Sequence, residues 1–397
     1  MDKERIIAEA VLHRDDDVAR LLLSGNGNDN LRLVAQQIEG WRTAREKWPT
    51  LSQNDAIWYP PRINCEQSSS ETTARYKALL LNAGDQLADL TGGMGIDSLF
   101  AAMRGIDTDY VEQDAMLCAA MEHNLKALRL ANCRCHCADS LTWIEQQKES
   151  YDTIYLDPAR RGRGGRRVAA FEDCTPNLLQ HIDMLMQHCR RLIVKAAPMI
   201  DLAAAERQLC RYLTATHIVA VHGECKEVLF ICEQETRDEV MTHCIDLTHP
   251  LTDYRCNDNH FSFSHAEEAA AEVEYCGSVG HYLYEPNAAL MKGGAFKSIG
   301  QRYAIGKLAR NTHLYSADTL IEQWPGRVFE VMQEIRLTVK NIRIAIPEGK
   351  AHVVARNYPV AAADLQRQLK LQEGGTEFVV ATTIGTRKIG LLCRRVK

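Results

Sequence analysis

Residues able to do chemistry gather at a few turns of this chain where glycines and charges meet. The densest is DLTGGMGID, Asp89 to Asp97, which sets Gly92, Gly93 and Gly95 between two acids. Glycines at a strand-to-helix turn let a ligand come close to the backbone, at the carboxyl edge of an open α/β sheet. A dinucleotide fingerprint would need a third glycine where Ser98 stands, and acids on both flanks would repel a pyrophosphate. A cationic ligand is attracted instead. S-adenosylmethionine, with its sulfonium and amino groups, suits that charge better than NAD. The same turn could also serve tight packing alone. A second candidate is DPAR, Asp157 to Arg160, which leads into the densest basic run, RRGRGGRR from Arg160 to Arg167. Arginines on a glycine loop suit phosphate contacts, which position a nucleic acid without reading it; a merely solvated loop is the alternative. CRCHC, Cys133 to Cys137, has period-two spacing that lines its cysteines along one face of a strand. Zinc sites prefer C-x-x-C turns with a distant partner pair, so no metal is expected there. KGGAFKSIG, Lys292 to Gly300, lacks the context of a nucleotide loop and reads as a turn in a small module.

These turns need a scaffold, and from Asp85 the pattern supplies one. Short apolar runs at Gln86–Leu90, Thr108–Asp114, Arg134–Ser140, Tyr151–Ala159 and Arg191–Pro198 alternate with amphipathic helical stretches. Ala215–Gly223 and Glu227–Gln234 follow as an antiparallel pair. The expectation is a Rossmann-like, doubly wound sheet of seven strands with an antiparallel edge. Before it, apolar residues at three- and four-residue spacing predict an N-terminal helical cap, closed by the paired prolines of WYPPR. EQSSSETTA, Glu66 to Ala74, is placed to cap the helix entering the fold. After it, residues 235–280 read as polar and irregular, and 282–308 as a small helical or mixed module. The last 72 residues alternate in strand fashion around one helix, ADLQRQLKL. The expected division is 1–75, 76–240, 241–325 and 326–397.

Composition narrows the class. The net charge is −5, yet residues 326–397 hold 13 Lys and Arg against 6 Asp and Glu. A basic C-terminal domain on an acidic body is the asymmetry expected when one part holds a polyanion, although a solvated basic face would look alike. No apolar run approaches the ~18 residues that span a bilayer, and MDKERIIAEAVLHRDDD is too charged for a signal peptide. A cytoplasmic protein without membrane contact is expected, its 14 cysteines serving mostly as small buried hydrophobes.

The order of elements from Asp85 to Gln234 resembles the class I S-adenosylmethionine-dependent methyltransferases. The resemblance implies S-adenosylmethionine as cofactor, with Asp89, Thr91, Gly92, Gly93 and Gly95 in the loop at its methionine end. Glu112 would hold the ribose hydroxyls, Asp139 and Ser140 would lie beside the adenine, and Asp157 would stand at the catalytic edge. The whole chain is similar to a bacterial group of such enzymes that combines EQSSSETTARYK (Glu66–Lys77), DLTGG and DPARR. That group also has K-x-x-P-M-x-D (Lys195–Asp201), a C-K-E strand start (Cys225–Glu227), and C-terminal ferredoxin-like and THUMP-like modules. It implies RNA, tRNA or rRNA, as the substrate class, because THUMP-type domains hold RNA. Arg160, Arg161, Arg163, Arg166 and Arg167 would then face the RNA.

Lys77, Asp157, Lys195 and Glu227 follow the order of the Lys-Asp-Lys-Glu tetrad of ribose 2′-O-methyltransferases. A ribose hydroxyl is a poor acid, so a lysine must take its proton or stabilise the alkoxide, with carboxylates setting that lysine's pKa. Ordinary ion pairs at strand ends are the alternative. Methylation of a base nitrogen stays open, although DPAR carries Arg160 where an aromatic residue would stack on a flipped base. Uracil C5 chemistry is set aside, because the following strand offers Lys195 rather than a nucleophilic cysteine, and Cys189 reads as core. Rival readings are a methyltransferase for a small molecule or protein, and an RNA-binding protein whose methyltransferase-like domain has lost catalysis.

Overall fold

The structure, a computed structural model, describes residues 3–24, 29–160, 171, 174–235, 239–247, 251 and 260–396. The chain divides into two compact units. The first holds residues 1–214, 228–237 and 249–256; the second holds 215–227, 238–248 and 257–397.

Six helices open the first unit: α1 (Lys3–Leu12), α2 (Val18–Ser24), α3 (Asp29–Lys47), α4 (Pro49–Ser52), α5 (Arg62–Gln67) and α6 (Glu71–Leu79). Ile6, Ile7 and Ala10 of α1 fall on one face at helical spacing and pack on Val34, Ala35 and Ile38 of α3. Ser70 caps α6 by accepting a bond from the Thr73 N–H, the role expected of the polar segment before it. The sheet then begins: β1 (Gln86–Asp89), α7 (Ile96–Met103), β2 (Asp107–Glu112), α8 (Ala115–Leu128), β3 (Cys133–Cys137), α9 (Ser140–Glu145), β4 (Tyr151–Leu156), α10 (Leu178–Gln187), β5 (Cys189–Ala196), α11 (Leu202–Leu209), β6 (Leu213–Val221) and β7 (Glu224–Glu233). The strand order is β3-β2-β1-β4-β5-β7-β6. The five strands β1 to β5 pair in parallel, and β7 runs antiparallel to β5. Each of the seven expected runs forms a strand, with ends within three residues of those expected. Trp48, Leu51 and Tyr59 share one core with Ile96, Leu99 and Phe100 of α7, so the N-terminal helices are built onto the sheet.

The second unit takes in residues 215–227 of β6 and β7; there β8 (Met241–Leu247) pairs in parallel with β6, and β9 (His260–Ser264) antiparallel with β8, so the sheet has nine strands rather than the expected seven. This corrects the reading of 235–280 as irregular. The strand was hidden because its buried face includes Thr242 and Asp246 rather than an unbroken apolar row. After α12 (His265–Ala270) comes a second sheet. It runs through β10 (Tyr282–Pro286), α13 (Ala288–Gly293), α14 (Ser298–Arg302), β11 (Gly306–Ala309), β12 (Thr312–Ala317), β13 (Gly326–Ile335), α15 (Val339–Ala345), β14 (His352–Arg356), α16 (Ala362–Gln368), β15 (Glu377–Ile384) and β16 (Arg387–Arg395). Its order is β11-β12-β10-β13-β16-β15-β14, and only β14 and β15 pair in parallel. Ile342 of α15, Leu365 of α16 and the adjoining Leu369 cover one face. On the other, Leu283, Leu308 and Leu314 meet Val354, Val380 and Leu391, so the sheet curls onto itself. Thr312 Oγ1 donates to the Thr383 carbonyl at 2.7 Å, across that fold.

Among the described residues all thirteen cysteines are free, and Cys65, Cys189, Cys232, Cys244 and Cys393 are buried. No helix among them is long and apolar enough to cross a membrane.

Candidate functional site

The glycine turn leaves β1 and enters α7. Gly93 and Gly95 have φ of 53° and 83°, in the left-handed region that favours glycine. At Gly92 the constraint is space, since a Cβ there would lie 2.3 Å from the Tyr110 ring. Two acids hold the turn from inside. Glu112, at the end of β2, accepts the Gly93 N–H on Oε2 and the Asp114 N–H on Oε1, each at 2.9 Å. Asp89 is 2% exposed and accepts from Ser98 Oγ at 2.6 Å and from the Thr91 N–H at 3.1 Å. Burial pushes its carboxyl up to about 7. Asp89 is therefore spent within the turn and does not present a bare charge to a ligand. Thr91 reaches the next strand, its Oγ1 accepting the Asp157 N–H at 2.7 Å.

Asp97, the other flanking acid, serves a different purpose. Lys77 Nζ lies 3.0 Å from its Oδ1, while Ser69 Oγ and the Tyr155 hydroxyl donate to Oδ2 at 2.8 and 3.1 Å. Burial would raise this carboxyl; Lys77, Lys195 and the hydrogen bonds outweigh it and hold it below its ordinary value. Lys77 also takes a bond to Ser69 Oγ at 2.8 Å and sits over the Tyr155 ring. Lys195, near the end of β5, donates to Asp157 Oδ2. Two lysine–carboxylate pairs thus converge beside the glycine turn, at the carboxyl ends of β1, β4 and β5. Glu227 is buried in β7, one position before Val228, which pairs with Ala196, and belongs to the second unit.

At the end of β3, Asp139 caps α9 and accepts the Thr142 N–H and hydroxyl on Oδ1, each at 2.9 Å. Those bonds, joined by one from the Leu141 backbone, lower its carboxyl. Ser140 is half-buried as the first residue of α9. His136 of CRCHC lies 2.6 Å from Asp109, and no described group of residues is arranged to hold a metal. Arg161, Arg163, Arg166 and Arg167 lie outside the described residues; Arg160 ends a two-residue strand paired with Cys174–Thr175.

Sequence reasoning missed Ser69, Tyr155 and the pairing of Asp97 with Lys77. The EQSSS segment carries Ser69, but nothing in its spacing showed that it would bind Asp97. Lys47 was also missed. Its Nζ donates to the Cys65 and Glu66 carbonyls at 2.8 Å each, and burial, reinforced by Lys195, brings it down to about 8.

The crystal structure of a "putative methyltransferase" from Porphyromonas gingivalis W83 is 31% identical to this chain, with a TM-score of 0.87 and 100% of both chains covered. The chain belongs to that family. Its C-terminal region matches a ferredoxin-like domain model over residues 282–325 and a THUMP domain-like model over 326–395. A SAM dependent methyltransferase from Agrobacterium tumefaciens is 18% identical, with 42% of this chain and 61% of that one covered and a TM-score of 0.31. An rRNA methylase from Streptococcus thermophilus is 15% identical, with 41% and 95% covered and a TM-score of 0.31. Likeness at that level bears on no functional point. No curated protein matches the chain.

Proposed function

We propose that this protein is an S-adenosylmethionine-dependent methyltransferase that modifies RNA, with a ribose 2′-hydroxyl as the acceptor. The observation that carries the reading is the pair of ion pairs, Lys77–Asp97 and Lys195–Asp157, next to a glycine turn braced by Glu112. The residues fit the cofactor. A side chain at Gly93 would meet only the Thr91 carbonyl within 4 Å, which leaves room beside the turn, and Glu112 retains lone pairs beyond its two backbone bonds. When bound, S-adenosylmethionine supplies an electrophilic methyl group.

The chain must orient the acceptor and handle one proton. Lys195 is the better placed lysine. Its side chain is 14% exposed, and Asp157 beside it is 37% exposed, so both can meet an incoming hydroxyl. Lys77 is 6% exposed, wedged between Asp97, Ser69 and Tyr155, and serves to position Asp97. Lys195 stabilises the oxygen as it loses its proton, and Asp157 fixes Lys195 and can accept that proton. The RNA substrate is supported by the THUMP-like match and by the basic balance of residues 326–397.

Incubating purified protein with methyl-labelled S-adenosylmethionine and total RNA, then digesting to nucleosides, tests each part. Label on 2′-O-methylated nucleosides is expected. Label confined to bases would replace the hydroxyl by a base nitrogen. Label on protein or small molecules but never on RNA would move the activity to that rival class. Calorimetric binding of S-adenosylmethionine without turnover on any cellular RNA would favour a non-catalytic RNA-binding protein.

A further inference from the structure

Glu285 of β10 is 3% exposed, and two arginines from other strands meet it. Arg327, opposite it on β13, donates Nε to Oε2 at 2.7 Å, and Arg356, ending β14, donates Nε to Oε1 at 2.6 Å. A single arginine would neutralise one buried carboxylate. The second leaves the group with a surplus positive charge, and both guanidiniums stay open to solvent, at 36% and 42% exposure. Arg327 uses Nε and Nη2 on the carboxylate, and Arg356 spends Nη1 on the Ala355 carbonyl. Nη1 of Arg327 and Nη2 of Arg356 have no hydrogen-bond partner among the described residues, and the Arg327 guanidinium lies 5.6 Å from the Phe329 ring centre. An internal staple between residues 282–325 and 326–395 accounts for the inner bonds. It accounts neither for the second cation nor for the outward N–H groups.

We propose that Arg327 and Arg356, fixed from behind by Glu285, form a clamp for a phosphodiester of the RNA backbone. This rests on the reading of RNA as the substrate. The planar fork of arginine matches two phosphate oxygens, and a guanidinium already anchored on one edge loses little freedom when its other edge binds. The surrounding segment is the basic one, with 13 Lys and Arg against 6 Asp and Glu in residues 326–397. No base edge is involved, so the clamp holds RNA without regard to sequence.

The test is fluorescence anisotropy of the full-length protein with labelled, fragmented total RNA across a salt series. Arg327→Gln and Arg356→Gln should each weaken binding severalfold and reduce the slope of log affinity against log salt by about one. Arg327→Lys and Arg356→Lys, which keep the charge, should restore the slope while affinity stays below wild type. Glu285→Gln should leave the slope at least as steep as wild type. If the trio is only structural, the glutamine variants will share a lowered melting temperature and keep the wild-type slope, and the clamp is overturned. Should arginine-to-glutamine variants unfold, an unaltered affinity and slope in the lysine variants would overturn it instead, since the fork would then be dispensable. Wild-type protein that methylates RNA while the variants keep its slope sinks the clamp alone; wild-type protein that binds no RNA sinks both readings.

Discussion

Lys195 and Lys77 carry the same group in different surroundings, and that difference sets what each substitution should do. Lys195 is paired with the part-exposed Asp157, so under the proposed function Lys195→Met should lower kcat about 10²- to 10⁴-fold, the range for loss of a proton-handling group. Calorimetric affinity for S-adenosylmethionine should stay within about twofold, because no cofactor contact is assigned to this lysine. Lys77→Met instead strips a buried carboxylate of its cation. A loss of about 3–5 kcal/mol of stability is expected, read as a lower denaturant midpoint. Asp89 gives a pH signature. Its carboxyl has an ordinary value of 3.8 and a folded value of about 7, so the folded state holds the proton more tightly. Its contribution is fully present below pH 3.8 and is lost as pH rises through 7, at a cost on the order of a few kcal/mol. Asp89→Asn can keep the partners Ser98 and Thr91 and has no charge to bury. Its melting temperature should therefore gain on wild type between pH 5 and 8; parallel curves would show that Asp89 does not titrate there.

At the scale of elements, the turn between β1 and α7 is a packed object as well as the proposed ligand cradle. Tyr110 donates its hydroxyl to the Gly93 carbonyl at 2.7 Å, which pins the ring against Gly92. The ring cannot swing aside for a methyl group without losing that bond. Gly92→Ala should cost about 1–3 kcal/mol in thermal unfolding and weaken cofactor binding together, because the turn must shift. The packing and ligand readings of these glycines are thus not exclusive. The positions of β1 to β5 were legible because each is a short strand-like run between helical stretches, and β6 and β7 because two apolar runs follow each other across a short turn. Lys77, Asp157 and Lys195 could be singled out because their order along the chain resembles the Lys-Asp-Lys-Glu tetrad. The partner of Lys77 could not, because Asp97 sits in the glycine turn, where an acid invites a ligand reading, and its contact with α6 is tertiary. β8 escaped notice because Thr242 and Asp246 make a buried strand look polar.

At the scale of the molecule, the boundary at residue 326 separates two domain matches but not two cores. Leu283, Leu308 and Leu314, all N-terminal to it, lie in one cluster with Val354, Val380, Ile389 and Leu391, all C-terminal to it. The three leucines are at most 1% exposed. At about 1.5–3 kcal/mol each, their burial is comparable with the ~5–15 kcal/mol that holds a whole domain. β13 would also lose β10, its partner from Gly326 to Glu330. A 326–397 fragment should therefore show no cooperative melt and should bind a hydrophobic dye. A fragment starting at residue 265, which keeps α12 through β16, should melt cooperatively. The consequence for the proposed clamp is direct: Glu285 belongs to the first match, and Arg327 and Arg356 to the second. The short fragment keeps every basic residue of the tail but lacks the carboxylate that aims two of them. If it nonetheless melted as sharply as the longer one and bound RNA with the same salt slope, the curled sheet would be two independent parts, and charge alone would explain the binding.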